Sequence, residues 1–262
     1  MKSIKRKLFN LLPKNNVQLY RFCKTYVDRF NNDNDDNIFT NGEFRFMQNN
    51  LKNCQVVFDV GANVGEWAKL ALTINPKIWL HCFEPANGAF QRLVSSGFPP
   101  SVVCNNLGVG QKPEDKELFI FDDGSGTNSL YQRWGLEDGW GIKPQQRTEV
   151  IKLITLDDYC QDNNIEKIDF LKIDVEGHEL CALKGADNLL REEKIKIIQF
   201  EYGGCFIDAR IFLKDIFEYI GNFNYSIFKI LPDNLRLIGR YDQRLESFQY
   251  SNYAVILNGY HY

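Results

Sequence analysis

The residues best suited to chemistry in this chain sit at the ends of apolar runs. Val56-Val57-Phe58-Asp59-Val60 breaks into Gly61-Ala62-Asn63-Val64-Gly65 and then enters an amphipathic stretch. Glycines at 61 and 65 remove the side chains that would block a ligand from approaching the backbone of the turn. Nineteen residues after Gly65, the run Leu80-His81-Cys82-Phe83 ends on Glu84. A carboxylate at that place can accept hydrogen bonds from both hydroxyls of a ribose. Together these features predict a nucleoside-containing cofactor. Asn63 stands where the dinucleotide fingerprint wants a second close glycine, and the turn carries no Lys-Ser or Lys-Thr pair to cradle phosphates. A cofactor without phosphates tolerates Asn63, whose amide can bond a carboxylate, an amino group or a ribose. S-adenosylmethionine is such a cofactor. An ordinary tight strand-turn-helix corner is the competing reading, and Glu84 weighs against it.

A third segment, Ile168-Asp169-Phe170-Leu171-Lys172-Ile173-Asp174-Val175-Glu176-Gly177-His178-Glu179, sharpens the reading. Taken with Val57 to Gly65, Phe83-Glu84-Pro85, Thr155-Leu156-Asp157, Leu183-Lys184-Gly185-Ala186 and Phe200-Glu201-Tyr202, it makes the chain resemble the FkbM family of S-adenosylmethionine-dependent methyltransferases. The resemblance covers about residues 54 to 204, with the motifs in family order. It implies a Rossmann-like class I methyltransferase fold and methyl transfer to oxygen, with a small-molecule or carbohydrate acceptor. It also implies that Gly61, Asn63 and Gly65 surround the methionine part of the cofactor, that Glu84 holds the ribose, and that Asn106 reaches the adenine. Asp59 lies at the first strand's end, and Ser129 with Asn128 is expected near the cofactor.

Methyl transfer from a sulfonium releases a neutral leaving group. The protein must align the acceptor oxygen, exclude water and remove a proton. Alignment can supply roughly 7–11 kcal/mol, and a general base typically adds about 10²–10⁴-fold. Asp174, Glu176, His178 and Glu201 are the catalytic candidates. His178 has the unperturbed pKa of a base, with Asp174 or Glu176 orienting it or serving instead; the competing reading is a helix cap or a solvent-facing ring. Strand alternation puts Asp174 and Glu176 on one side, so a divalent metal is allowed by the carboxylates without being favoured. No metal ligand is therefore assigned. The glycine-rich stretch from Gly124 to Gly141 interleaves Tyr131, Trp134 and Trp140, which suits either a mobile lid stacking on an acceptor or a surface loop anchored by its aromatics.

The elements that must position these residues alternate. Strands are expected at about 55–60, 78–84, 101–105, 169–175 and 195–202, with helices at about 65–74, 87–95, 179–190 and 208–220 between them. Asn87 would cap the second of these helices. Strand-helix alternation with apolar strands predicts an α/β fold with a mostly parallel, seven-stranded sheet, helices on both faces and an antiparallel edge from the runs after residue 225. Extended pieces at about 117–122 and 148–155 flank the glycine-rich excursion. Before the first strand, Leu19, Phe22, Cys23, Tyr26, Val27 and Phe30 share a helical face, and Phe44, Met47 and Leu51 mark a second helix. Residues 1–53 are read as a helical cap over one edge of a methyltransferase domain at 54–262.

Length permits one substantial core. A formal net charge of −3 argues against a general nucleic-acid binder. The seven cysteines form no Cys-x-x-Cys pair, so neither a disulfide framework nor a zinc site is suggested, and a reducing, cytoplasmic setting is expected. Met1 to Pro13 is basic, but its apolar part is too short for a signal peptide, and no run of eighteen apolar residues could span a membrane. This basic, amphipathic segment reads as a solvated helix start, with peripheral contact with an anionic membrane surface as the alternative. Two other functions compete with methyl transfer: a nicotinamide-dependent oxidoreductase, disfavoured by Asn63, and an inactive methyltransferase-fold binding module, which the acids Glu84, Asp174, Glu176 and Glu201 argue against.

Overall fold

Runs rich in valine, isoleucine and phenylalanine become central strands here because both of their faces are covered. In the computed structural model, which describes residues 12–122, 124, 126–134 and 147–260, eleven strands are formed. They are β1 (Val56–Val60), β2 (Trp79–Phe83), β3 (Val102–Asn105), β4 (Gly108–Val109), β5 (Glu114–Ile120), β6 (Arg147–Ile154), β7 (Ile168–Ile173), β8 (Ile195–Tyr202), β9 (Tyr225–Ile230), β10 (Leu235–Leu237) and β11 (Ser251–Leu257). The main sheet runs β10-β9-β11-β8-β7-β1-β2-β3. Its β3-β2-β1-β7-β8 part is parallel and its other pairings are antiparallel. This is the Rossmann-like class I methyltransferase architecture expected, with one correction. The sheet has eight strands rather than seven, because three residues of β10 fold back onto β9 as an edge hairpin.

The helices are α1 (Val17–Asn31), α2 (Glu43–Asn50), α3 (Glu66–Ile74), α4 (Asn87–Val94), α5 (Leu156–Asp162), α6 (Glu179–Lys184), α7 (Asp187–Arg191), α8 (Cys205–Ala209) and α9 (Leu213–Ile220). Alternate residues of β1 feed two cores. Phe58 and Val60 join Leu171, Ile173 and Phe200 on one face, while Val57 joins Leu80, Phe170 and Ile197 on the other. The stretch expected as one helix over 179–190 divides into α6 and α7 at Gly185, where a Cβ would lie 2.2 Å from the Gly110 carbonyl oxygen. Ala86 rather than Asn87 is the N-cap of α4; the Asn87 N–H instead donates to Glu149 Oε2 at 3.0 Å. Of the two described α-helices ahead of β1, only the second covers the body. Helix α2 buries Phe46 and Met47, whereas α1 buries none of its side chains. Among the described residues no helix is long and apolar enough to cross a membrane.

The excursion between β3 and β7 forms a second sheet of order β4-β6-β5. Its Leu118, Ile120, Ile151 and Leu153 pack with Ala86 and Ala89 at the start of α4. The small sheet thereby stands as a wall beside the carboxyl ends of β1 and β2, where ligands of open α/β sheets bind.

Candidate active site

The turn after β1 is built for close approach of backbone. Gly61 has φ +83°, and a Cβ on it would lie 1.7 Å from the Asp174 carbonyl oxygen. The N–H groups of Gly61 and Ala62 both donate to the Phe83 carbonyl at 3.0 Å, which closes the turn onto β2. Asn63 is also left-handed, and its backbone N–H donates to Glu84 Oε2 at 2.8 Å. The Ala86 N–H donates to Glu84 Oε1 at the same distance. Glu84 is buried, and burial pushes its carboxyl up to about 7 although both amides pull it back. Around this corner lies a pocket whose empty space, counted out through its open mouth, is about 670 Å³. Gly61, Asn63 and Glu84 line one side, and Leu107, Val109, Leu118, Leu130, Ile151 and Leu153 line the other. No lysine or arginine lines it among the described residues.

Beneath the turn, β1 and β7 place Asp59 opposite Lys172. The buried Lys172 Nζ lies 3.1 Å from Asp59 Oδ1 and 3.3 Å from Asp174 Oδ2. It also donates to the Gly61 carbonyl at 3.3 Å. Burial works against its charge, but Asp59, Asp174 and Glu43 together hold it above the ordinary lysine range. One ammonium thus ties the ends of two strands to the cofactor turn.

Past β7 the chain turns sharply through Glu176, whose φ of 52° is uncommon for a residue with a side chain. This turn brings carboxylate oxygens of Asp174, Glu176 and Glu201 within 4.8 Å of one another. Burial pushes Glu176 up to about 8, against the pull of Arg133, whose Nη1 lies 2.5 Å from Glu176 Oε2. Arg133 also sits 3.7 Å from Asp208. Burial and then the neighbouring Asp174 and Glu176 raise Glu201 well above the usual carboxylate range. The three acids open onto a broad cleft whose rim includes Asn34, Trp134, Ile207, Gln249 and Tyr250. Cavity and cleft share Gly126, Asp174 and Glu176.

Comparison with known proteins fits this geometry. Residues 59–227 match the family described as the methyltransferase FkbM domain. The chain belongs to this family. Hexuronic acid methyltransferase AglP of Haloferax volcanii is 27% identical over 198 residues, covering 75% of this chain and 74% of its own. The 31-O-demethyl-FK506 methyltransferase FkbM of Streptomyces tacrolimicus is 28% identical over 160 residues, 53% of this chain and 62% of that one. The 2-O-methyltransferase NoeI of Sinorhizobium fredii is 26% identical over 165 residues, with coverages of 56% and 63%.

Within this FkbM-family site the expected residues divide into those that line it and those that shape it. Gly61, Asn63, Glu84 and Asn128 line the cavity, Glu201 lines the cleft, and Asp174 and Glu176 line both. Asp59 lies under the turn, and Gly65 packs against Leu93 and Phe98 at the start of α3. The Asn106 Nδ2 donates to the carbonyls of Glu84 and Pro85, both at 3.0 Å, and so braces the corner. The Ser129 Oγ donates to the Glu176 carbonyl at 2.7 Å. His178 is buried at the cavity's back, its Nδ1 2.8 Å from the Tyr131 hydroxyl. Burial pushes its imidazole down to about 4, so the ring is neutral near pH 7.

The described part of the 124–141 stretch is tied to the site at several points. Ser129 exchanges backbone hydrogen bonds with Phe119, Tyr131 meets His178, and Arg133 pairs with Glu176. Residues 126–134 are a strap fastened across the site, from which Trp134 projects 73% exposed. Trp140 lies outside the described residues. Sequence reasoning missed Lys172, Arg133 and Glu179. Lys172 left a trace, a lysine between Leu171 and Ile173 in a strand whose one other polar residue is Asp169. Glu179 is fully buried with Oε1 accepting from the Val175 N–H at 3.0 Å, and burial pushes it up to about 8. Arg133 sits in an irregular loop, where no periodicity marks it.

Proposed function

We propose that this methyltransferase uses S-adenosylmethionine to methylate a hydroxyl of a carbohydrate acceptor. The observation that carries the reading is the junction of two cavities of different chemistry at Asp174 and Glu176. The pocket at the Gly61 turn fits a nucleoside without phosphates: a buried carboxylate for ribose hydroxyls, apolar walls for a base, and no lining cation among the described residues. That last feature also disfavours a nicotinamide dinucleotide, whose pyrophosphate would meet carboxylates. When bound, S-adenosylmethionine supplies a methyl group on a cationic sulfur. Glu84 would hold its ribose, with Gly61 and Asn63 against its amino-acid part.

The remaining work falls to this chain's own acids. Asp174, at the junction, presents negative charge where an acceptor and a sulfonium would meet, and Glu176 beside it is held by Arg133. Glu201 has no side-chain hydrogen-bond partner among the described residues and has a raised proton affinity, so it is the residue assigned to take the acceptor's proton. His178 is assigned to position Tyr131 and the strap. A carbohydrate acceptor draws support from the name of AglP. The cleft's own charge narrows it. Asp36, Asp174 and Asp208 line the cleft with Arg133, which is already paired twice, so a neutral sugar fits better than a uronate. Titration calorimetry with S-adenosylhomocysteine and with NAD tests the cofactor. Mass spectrometry of neutral glycans incubated with enzyme and S-adenosylmethionine tests the acceptor, and binding of NAD alone would reject the reading.

A further inference from the structure

Helix α1 is unlike every other helix of the fold in leaving its apolar face uncovered. Spacing of i, i+3, i+4 and i+7 puts Leu19, Phe22, Cys23, Tyr26, Val27 and Phe30 on one side. Phe22, Tyr26 and Phe30 are 70%, 65% and 64% exposed, and no residue of the helix joins a hydrophobic core cluster. The helix is nevertheless held in place. Its left-handed C-cap, Asn32, donates from Nδ2 to the carbonyls of Asn41 at 2.6 Å and Ile230 at 3.0 Å. The next residue, Asp33, makes a buried ion pair with Lys229. On the polar side, Lys24 bonds both Asp28 and Gln249. An apolar face presented outward by a clamped end is a surface waiting for a partner.

Charge identifies the partner. The first 31 residues hold eight basic residues against Asp28 alone, a net +7. The whole chain carries −3, so the remaining residues carry −10. Lys2, Lys5, Arg6 and Lys7 lie just ahead of the helix in sequence, and Arg21 and Arg29 lie on its polar side. Aromatic and aliphatic side chains on one face with basic residues around them are what an anionic lipid surface binds. Fifteen residues with a polar face are too short and too polar to span, so the helix would lie in the interface. Pairing of α1 with α1 of a second copy would bring two segments of +7 together, which repel.

We infer that α1, in the most basic part of the sequence, docks this protein on anionic membrane surfaces. Asn34, Gln249 and Tyr250, just beyond the helix's clamped end, line the open cleft. Docking therefore sets the mouth of that cleft beside the lipid. On the methyl-transfer reading, which this last step rests on, the acceptor is one carried on a lipid.

Vesicle flotation tests the docking without cofactor or acceptor, so its failure is separate from any failure of the proposed activity. The full chain should bind phosphatidylcholine vesicles containing phosphatidylglycerol, bind pure phosphatidylcholine far less, and release as salt rises. Replacing Phe22→Ser, Tyr26→Ser and Phe30→Ser together should weaken binding at least about tenfold. Their thermal midpoint should fall only slightly, because all three side chains are largely exposed and the contact to the body that they lose is the Arg236 guanidinium over the Phe30 ring at 5.3 Å. Absence of binding to the anionic vesicles overturns the inference, as does binding that the triple variant leaves unchanged. A sharp fall in midpoint would show the face packed on the body, and a parent dimer by light scattering that the variant dissociates would give the surface to a second copy. Either result also overturns it.

Discussion

Glu84 gives one oxygen to each of two backbone amides, Asn63 and Ala86, so only its remaining lone pairs are left for a ligand. The corner and the cofactor site are therefore one object. Glu84→Ala should remove two ribose contacts and cost about 1.5–3 kcal/mol of S-adenosylhomocysteine affinity by titration calorimetry. Unchanged affinity would take Glu84 out of the site. Glu201 makes the opposite case, a carboxylate in the open cleft with no hydrogen-bond partner among the described residues. Glu201→Gln should lower turnover about 10²–10⁴-fold while leaving S-adenosylhomocysteine binding intact. Only the ionised carboxylate can take a proton, and its folded pKa is raised, so the parent's rate should climb as pH rises through that shifted value. The variant should lose that climb. A rate profile unaltered in shape would give the base to another residue.

Elements at strand ends were the legible part of this molecule. Gly61, Asn63, Glu84, Asp174 and Glu176 end apolar runs, and ends of parallel strands collect on one edge whatever the detailed order. Strand β8 was likewise read with its true bounds, because Ile195, Ile197, Ile198, Phe200 and Tyr202 stand between the charged run Arg191-Glu192-Glu193-Lys194 and the glycines Gly203-Gly204. What stayed hidden depends on which elements become neighbours. Lys172 acquires meaning only from the register that sets it opposite Asp59, and Gly185 breaks a helix only because the Gly110 carbonyl arrives from another loop. The strap escaped notice because irregular backbone carries no period. The Asp59–Lys172 pairing yields a prediction at this scale. Lys172→Met leaves a buried carboxylate without its cation and should cost about 3–5 kcal/mol of stability in urea unfolding. Adding Asp59→Asn should recover much of that loss, since a pair replaced together leaves no buried charge. A double variant as unstable as the single one would show that packing, not charge, is at stake.

Across the whole molecule, an unusual number of acids are buried near the site, and this sets how stability responds to pH. Burial pushes Glu84 up to about 7 and Glu176 and Glu179 up to about 8, from ordinary values near 4.5. Between those limits the folded chain holds protons that the unfolded chain has released. Stability must then fall as pH rises, by up to about 1.4 kcal/mol per pH unit for each group. His81 and His178 act the other way, because burial pushes both down to about 4. The unfolded chain protonates them below about 6.5, so they add stability as pH rises from about 4 to about 6.5 and nothing beyond. Above pH 6.5 only the acids remain. The thermal midpoint of the protein without cofactor should therefore decline from pH 6.5 to 8, by roughly 2–4 °C for each kcal/mol lost. Glu179→Gln removes one titrating group that touches neither cavity and should make the decline shallower. A midpoint that holds level or rises over that range would mean these carboxyls are ionised in the fold, with Lys172 and Arg133 outweighing the burial that opposes them.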